Sequence, residues 1–210
     1  MLNLEKKYYS KRVNFIAGTD EAGRGPIAGP VVAAAVIFSS TYTNKEINDS
    51  KKLSEKKREK LAAIIKKDAL AYAITFIPAK EIDRINIYEA SRLAMEKSLH
   101  ALKHHYDLVI TDAMPLKHEK CEVLPLIKAD AKCLCVAASS ILAKVARDHY
   151  MIALDQKYPQ YQFKKHKGYP TKLHLQLLKE LGPIKSEYRF SYGPVKALHY
   201  RQLSLFDENK

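Results

Sequence analysis

Short apolar runs and longer amphipathic stretches alternate along the 210-residue chain. Five of the runs are rich in β-branched or other apolar residues, a pattern typical of buried strands. They cover residues 13–19, 30–38, 69–77, 108–111 and 123–128. The sequence therefore predicts a sheet of five strands.

Helical spacing of apolar residues occurs in four longer stretches. Ser54 is a suitable N-cap for the first of them, and the second is expected to be broken once near Asn86. Gly182 and Pro183 follow the fourth, as is typical of a helix end. The predicted helices cover residues 55–68, 81–105, 131–157 and 172–181.

This order of elements predicts an α/β domain with a mixed sheet, flanked by helices and followed by a C-terminal helical extension. The first two strands are joined by a short connection, so we expect them to pair antiparallel. The fourth strand follows a long helix and is expected to lie parallel to the first.

The charge balance indicates what such a domain would bind. Lys and Arg number 36 against 23 Asp and Glu, which gives a formal net charge of +13. An excess of this size favours a polyanion such as nucleic acid. A membrane is the competing partner, but no apolar run is long enough to span one. Residues 1–14 are polar and lysine-rich, with no segment of signal-peptide type, so we expect a cytoplasmic protein.

The cysteines and histidines do not form a metal-binding pattern. Cys121, Cys133 and Cys135 are odd in number and include no Cys-x-x-Cys pair, so free thiols are expected rather than disulfides or a zinc site. His100 and His104 would share a helix face, but no Glu follows His100 as a zincin motif requires. A solvated helix face is the expected role of these histidines.

Four acidic residues stand where apolar strands end: Asp20, Glu21, Asp112 and Asp130. Ends of neighbouring strands meet at one edge of a sheet, so residues that are distant in sequence can converge there. Clustered carboxylates repel one another unless a cation intervenes, and oxygen ligands select hard ions such as Mg²⁺ or Mn²⁺. Taken singly, each acid is also compatible with an ordinary turn residue or helix cap. Adjacent strand residues point to opposite faces, so Glu21 must leave the pleat to share an ion with Asp20.

Glycines are concentrated in one place. Gly18, Gly23, Gly25 and Gly29 fall within twelve residues, which indicates a turn with unusual dihedral angles or close backbone approach. Residues 23–28 also fit the dinucleotide fingerprint G-x-G-x-x-A. That fingerprint must open a helix, whereas a strand is predicted here, so a nicotinamide or flavin site is not expected.

Several sequence blocks around these residues resemble the ribonuclease HII family. The longest is TDEAGRGPIAGPVVAAA at residues 19–35, which contains two of the acids and three of the four clustered glycines. The resemblance covers about residues 13–195. The further blocks are DSKKL at 49–53, NIYEAS at 86–91, AASSILAKVARD at 137–148 and HKGYPT at 166–171.

The resemblance implies a ribonuclease-H-like fold and a metal-dependent endoribonuclease. By similarity, such an enzyme hydrolyses the RNA strand of RNA/DNA hybrids and cuts duplex DNA at embedded ribonucleotides. The cut lies 5′ of the ribonucleotide and leaves a 3′-hydroxyl and a 5′-phosphate, with two ions, Mg²⁺ or Mn²⁺, at work. The four acids named above match the family's metal-binding and catalytic residues. Gly23, Arg24 and Gly25 match the segment that recognises a ribose 2′-hydroxyl, and Tyr169 matches a tyrosine that packs on the sugar.

Basic residues near these blocks are candidates for phosphate contacts, although an ordinary solvated face explains each of them equally well. If they contact phosphates, binding should weaken steeply with salt, because each neutralised phosphate releases counterions. The candidates are Lys51, Lys144, Arg147, Lys164, Lys165 and Lys167.

The C-terminal segment carries a separate signal. Residues 198–210 are expected to form a tail outside a catalytic domain at 1–197. Within the tail, the pentapeptide at 202–206 resembles the short motif by which bacterial proteins dock on the replicative sliding clamp. A segment that packs on its own domain is the alternative. The pentapeptide consists of Gln202, Leu203, Ser204, Leu205 and Phe206.

Two other functional classes are compatible with parts of this pattern. A non-catalytic basic nucleic-acid-binding module would explain the charge but not the four acids. A ribonuclease-H-like nuclease that cuts unmodified DNA or DNA junctions would explain both, and would not depend on a ribose. In all three cases we expect a monomer.

Overall fold

The computed structural model describes residues 3–117 and 120–198. Its strands are β1 (Ile16–Ala22), β2 (Val31–Ile37), β3 (Ala71–Ile77), β4 (Leu108–Asp112) and β5 (Glu122–Leu126). Its helices are α1 (Glu55–Asp68), α2 (Ala79–His100), α3 (Leu134–Lys157), α4 (Phe163–His166) and α5 (Lys172–Leu181).

The five strands form one mixed sheet in the order β3-β2-β1-β4-β5. β1 pairs antiparallel with β2 and parallel with β4, and both pairings confirm the prediction. β4 also pairs parallel with β5, so the carboxyl ends of β1, β4 and β5 meet at the same edge of the sheet. Pro125 is tolerated in β5 because this is an edge strand, where one side needs no ladder donor.

The helices largely follow the sequence pattern. The Ser54 hydroxyl accepts from the main-chain N–H of Lys57 and so caps α1 as predicted. The predicted break in α2 is confirmed at Asn86, which has φ 67°. α2 ends at His100, five residues before the predicted end. Leu102 still packs against the apolar cluster that contains Ala17 and Leu99, so its apolar spacing reflects burial and not helix.

β1 extends further towards its carboxyl end than the sequence indicated. The predicted strand stopped at Thr19, whereas pairing with β2 continues until Ala22 lies opposite Val32. Asp20 and Glu21 are therefore both inside the ladder. The glycine turn, residues 23–30, then connects β1 to β2.

β1 and α3 pack closely because small residues line their contact. A side chain at Gly18 would have its Cβ 2.5 Å from the main-chain carbon of Cys135, a distance that no real Cβ tolerates. The Ser139 hydroxyl donates to the carbonyl oxygen of Gly18 at 2.8 Å. Both contacts fix the start of α3 against the central strand, just after the segment that carries Asp130.

The chain divides into two compact units. The first consists of Met1–Ala22, Val32–Phe76 and Ser91–Ala146 and contains most of the sheet. The second consists of Gly23–Val31, Ile77–Ala90 and, of the described residues, 147–198; its own apolar core includes Phe163, Leu178 and Tyr188. A single catalytic domain at 1–197 with a separate tail stays a prediction. Within the described ranges, no helix is both long and apolar enough to cross a membrane.

Candidate active site

Three of the predicted acids converge at the sheet edge where β1 and β4 end. One carboxylate oxygen from each of Asp20, Asp112 and Asp130 lies within 4.8 Å of the other two. Asp20 lies in β1, Asp112 ends β4, and Asp130 lies in the 3-10 helix Ala129–Ala131 that precedes α3. Three separate stretches of sequence thus supply one acidic group, as the strand ends predicted.

Local hydrogen bonds hold these carboxylates in place. Oδ1 of Asp112 accepts from the main-chain N–H of Ala129 at 2.9 Å, which ties the end of β4 to the segment that carries Asp130. Oδ1 of Asp20 accepts from the N–H of Glu21 at 2.7 Å. Ser140 of α3 also hydrogen-bonds to the Asp20 carboxylate.

The electrostatics of the group are unfavourable for three ionised carboxylates. Burial raises the pKa of Asp20 well above its usual value, and the nearby charges of Glu21 and Asp112 raise it further. Burial, followed by the charge of Asp112, also raises the pKa of Asp130. Negative charge is therefore crowded in a place where water does not screen it well.

This donor set fits a divalent cation. All ligand atoms that the three aspartates offer are carboxylate oxygens, which Mg²⁺ and Mn²⁺ prefer over nitrogen or sulfur. A cation would also relieve the repulsion that raises the pKa of Asp20. Cys121, Cys133 and Cys135 are free thiols, and none belongs to a metal-binding group within the described part of the chain.

Glu21 is placed differently from the other three acids. It pairs with Ala33 inside the β1–β2 ladder, so it stays in the strand, whereas the sequence argument expected it to leave the pleat. It is not a member of the three-aspartate group, although its charge acts on Asp20. After burial, the charge of Glu21 is the largest cause of the raised pKa of Asp20, so Glu21 acts on the same acidic group.

The predicted phosphate-binding lysines differ in how far they are exposed and in whether they lie beside the acids. Nζ of Lys51 lies 3.7 Å from Oδ2 of Asp130, beside the acids. Lys144 is partly buried in α3, whereas Lys164 and Lys165 are exposed on α4.

Arg147 is not on the surface. Its side chain is buried, and its guanidinium donates to the carbonyl oxygens of Pro30, Ala28 and Lys167 at 2.9–3.1 Å. The phosphate contact that the sequence suggested for Arg147 is therefore wrong, because main-chain carbonyls occupy its donors. A basic residue inside a helix gives no sequence signal of whether it points outwards or inwards.

The two glycines of the 23–25 segment differ in whether a side chain could replace the hydrogen. Gly23 has φ +99°, and a Cβ there would lie 2.2 Å from Nε of Arg147. A Cβ at Gly25 would meet only Cε1 of Tyr169, at an ordinary 3.6 Å. Gly23 is thus required by the fold, whereas Gly25 leaves open space beside the tyrosine. The Tyr169 ring itself is 42% exposed.

Residues 17–193 match the family model described as ribonuclease HII. The chain belongs to the ribonuclease HII family. A ribonuclease HII from Caldanaerobacter subterraneus is 50% identical to it over 85% of this chain and 74% of that protein.

Solved structures agree with this family assignment. The ribonuclease H2 of Pyrococcus horikoshii aligns with a TM-score of 0.77 and 26% identity, over 89% of this chain and 98% of that one. The ribonuclease HII of Archaeoglobus fulgidus, solved as a complex with PCNA, aligns with a TM-score of 0.65 and 28% identity, over 79% of this chain and 85% of that one. The ribonuclease-H-like fold is thereby confirmed.

As a member of this family, the chain is a metal-dependent endoribonuclease that hydrolyses RNA in RNA/DNA hybrids. This excludes the non-catalytic binding module that the charge alone would have allowed. The acidic group described above is the part of the ribonuclease HII chain whose chemistry suits that reaction.

Sequence reasoning missed two groups in the ribonuclease HII chain. Ser50 and Ser140 face each other at 2.9 Å between their hydroxyl oxygens, which links the 49–53 loop to α3 beside Asp20. Arg189, fully buried after α5, was also missed. No local sequence signal marked it, since arginine is mostly exposed in proteins and is fully buried only when it is paired.

Proposed function

We propose that this protein cuts not only RNA/DNA hybrids but also duplex DNA at single embedded ribonucleotides. The cut lies on the 5′ side of the ribonucleotide. The P–O3′ bond breaks, water supplies the new oxygen on phosphorus, and the products carry a 3′-hydroxyl and a 5′-phosphate. The observation that carries the proposal is the convergence of Asp20, Asp112 and Asp130 within 4.8 Å.

The acids have the roles of metal ligands and catalytic residues in this proposal. Asp20, Asp112 and Asp130, together with Glu21, would hold Mg²⁺ or Mn²⁺, two ions in all. Bound divalent ions supply positive charge where negative charge develops on the attacking and leaving oxygens. The hydrogen bonds from Ala129 to Asp112 and from Ser140 to Asp20 orient the carboxylates for that task.

Ribose recognition belongs to the glycine turn and Tyr169. Gly23 directly follows Ala22, the last residue of β1, so the turn continues the strand that carries Asp20 and Glu21. Main-chain groups of Gly23, Arg24 and Gly25 would hydrogen-bond the 2′-hydroxyl, and the exposed Tyr169 ring would pack on the sugar. DNA lacks the hydroxyl, so buried partners of that group would be left unpaired, at a cost of about 1–3 kcal/mol each.

Lysines supply the affinity for the phosphate backbone. Lys51 lies beside Asp130 and is therefore the candidate for a phosphate close to the scissile one. Lys144, Lys164, Lys165 and Lys167 are the candidates for more distant phosphates. The net charge of +13 supports a binding mode dominated by such contacts.

The test compares wild type with Asp20→Asn on three matched duplexes that contain zero, one or four ribonucleotides, with and without Mg²⁺ or Mn²⁺. We expect wild type to cut the second and third only, at the 5′ side of a ribonucleotide and only with metal. Asp20→Asn should be at least 1000-fold slower, about 4 kcal/mol in the barrier. Asp68→Asn, an exposed aspartate outside the site, is the matched control.

Two results would count against the proposal. Cleavage of the all-DNA duplex would favour a ribonuclease-H-like DNA nuclease. Cleavage of the four-ribonucleotide duplex alone would limit the activity to longer RNA tracts and remove the single-ribonucleotide role.

We also propose that the tail docks on the replicative sliding clamp. The segment consists of Gln202, Leu203, Ser204, Leu205 and Phe206, which lie outside the described residues. The complex of the Archaeoglobus fulgidus ribonuclease HII with PCNA supports the proposal. Deletion of residues 201–210 should abolish binding to the purified clamp and leave cleavage of a short duplex unchanged. Equal clamp binding by both proteins would refute it.

For the assembly and location of the enzyme we propose a monomer in the cytoplasm, where the genome of a bacterium lies. The expected mass in solution is that of one chain of 23.9 kDa. Light scattering at micromolar concentration measures it, and a mass twice as large would contradict the proposal.

A further inference from the structure

Arg189 is buried against the glycine turn, residues 23–30. Its Nη2 donates to the carbonyl oxygen of Gly23 at 2.7 Å and its Nη1 to that of Arg24 at 3.0 Å. Its Nε donates to the carbonyl oxygen of Gly29 at 3.0 Å. One guanidinium thus holds both ends of the turn.

Tyr192 strengthens the same contact. Its hydroxyl accepts from Nη1 of Arg189 at 3.0 Å and donates to the carbonyl oxygen of Arg24 at 2.7 Å. The guanidinium carbon also lies 5.2 Å from the centroid of the Tyr192 ring. The carbonyl of Arg24 therefore receives two hydrogen bonds from the same side.

Burying an arginine to hold a turn costs free energy, because its charge leaves water. Within residues 3–117 and 120–198, neither Arg189 nor Arg147 forms an ion pair with a carboxylate. Burial lowers the pKa of both guanidinium groups. A buried charge without an ion-pair partner is tolerated only when its N–H groups are hydrogen-bonded. Replacing such a group with well-packed apolar residues is often neutral or stabilising. This favours a role in which the direction of the carbonyls matters.

The direction of those carbonyls determines the direction of the neighbouring N–H groups. In a planar trans peptide the carbonyl of one residue and the N–H of the next point in opposite directions, and no described peptide bond is cis. Because the carbonyls of Gly23 and Arg24 point towards Arg189, the N–H groups of Arg24 and Gly25 point away from it. Two successive N–H groups directed to one side form a concave donor site for an oxygen.

We propose that Arg189, supported by Tyr192, is a positioning residue for ribose selectivity, which it sets by orienting the N–H groups of Arg24 and Gly25. This rests on the proposed function of the glycine turn. Arg189 does not touch substrate; it acts through the main chain of residues 23–25.

The experiment measures dissociation constants by fluorescence anisotropy in an Asp20→Asn background, which prevents cleavage. The probes are a DNA duplex with one ribonucleotide and the same duplex without it, both with Mg²⁺. Arg189→Lys keeps the charge but loses the planar fork, and Tyr192→Phe removes one donor while leaving Arg189 in place. Leu178→Ala, in the apolar core of the same unit, is the control for general destabilisation.

We expect Arg189→Lys to lower the preference for the ribonucleotide duplex about tenfold, the effect of about 1.4 kcal/mol, with less than twofold change for the all-DNA duplex. Tyr192→Phe should lower it two- to threefold. Leu178→Ala should lower the melting temperature and leave the preference unchanged. In the cleaving enzyme, the kcat/KM of Arg189→Lys should fall on the single-ribonucleotide duplex.

An unchanged preference in both Arg189→Lys and Tyr192→Phe overturns the inference, whatever their melting temperatures, since it leaves these residues a purely structural role. Equal binding of the two duplexes by the Asp20→Asn parent has a different meaning. In that case the ribose-reading function of the turn itself fails, and the inference fails with it.

Discussion

Nζ of Lys51 lies 3.7 Å from Oδ2 of Asp130, with the lysine side chain 80% exposed and the aspartate 6% exposed. An exposed cation therefore lies beside a buried carboxylate of the acidic group. Burial lowers the pKa of Lys51, but the charges of Asp130 and Asp20 outweigh that effect and raise it. Lys51 stays charged at the position to which the proposed function brings a phosphodiester.

Replacing Lys51 should weaken nucleic-acid binding and leave the stability of the fold nearly unchanged. Lys51→Ala should change the free energy of unfolding by less than about 1 kcal/mol, because the ion pair is largely exposed on the lysine side. The KM for an RNA/DNA hybrid should rise several-fold, and the slope of log Kd against log salt should fall by about 1. Kinetics and binding titrations at several salt concentrations measure both.

Lys60→Ala is the control for that variant. Nζ of Lys60 also lies 3.7 Å from a carboxylate oxygen, that of Glu46, and its side chain is 68% exposed. Equal effects of the two substitutions would show that Lys51 contributes only to the general charge of the surface.

Divalent metal should stabilise the folded protein through the three aspartates. Adding Mg²⁺ or Mn²⁺ relieves the repulsion within the group, and a ligand at 100 times its Kd contributes about 2.7 kcal/mol. The melting temperature of wild type should therefore rise with metal. Asp112→Asn should lose most of that rise, whereas Asp68→Asn should keep it. A full metal-induced rise in Asp112→Asn would mean that the ion binds elsewhere.

The two glycines of the turn should respond differently to the same substitution. Gly23→Ala should lower the free energy of unfolding by more than about 1–2 kcal/mol, since its φ of +99° disfavours a side chain and the Cβ meets Arg147. Gly25→Ala should leave the melting temperature nearly unchanged and reduce cleavage at a single ribonucleotide. Thermal melts and cleavage assays on both variants measure this, and equal loss of stability would contradict it.

His174 should make stability depend on pH. Its ring nitrogens lie 2.8 Å from the carbonyl oxygen of Tyr169 and 2.8 Å from the hydroxyl of Tyr188. Burial, together with the stacked ring of His166, lowers the pKa of His174 from 6.5 to about 4. His174 is therefore protonated below pH 6.5 in the unfolded chain but only below about pH 4 in the folded protein. The stability that neutral His174 provides is complete above pH 6.5 and is lost as the pH falls through this window.

Urea unfolding at about pH 7, 6, 5 and 4.5 measures that loss. Wild type should lose about 2 kcal/mol more than His174→Gln between about pH 7 and 4.5, because glutamine takes up no proton. Comparison with this variant removes the contribution of the carboxylates, which both proteins share. A constant difference between the two proteins across the range would exclude His174 as the titrating group.

The fold was predictable because periodicity is a local property. The apolar runs of β2 and β4, the Ser54 cap and the Asn86 break could all be recognised from neighbouring residues. The end of β1 was not, because Asp20 and Glu21 are held in the strand by pairing with Ala34 and Ala33 of β2, which local periodicity does not reveal. Polar residues in a ladder contradict the usual signal for a strand.

The sequence by itself determined the family of the protein and indicated which acids meet at one edge of the sheet. The positions of Asp20, Asp112 and Asp130 at the ends of apolar runs predicted the acidic group, and blocks such as the one at 19–35 indicated the family. These signals are residue types at fixed positions along the chain, so they can be recognised without the tertiary structure.

Only the tertiary structure decided which way each side chain points. Glu21 stays outside the group that Asp20 joins, and Arg147 and Arg189 point inwards to main-chain carbonyls of the turn. The physical reason is that a charged side chain is buried only where hydrogen bonds offset the free energy of its desolvation. Those partners come from residues more than a hundred positions away, which local sequence does not reveal.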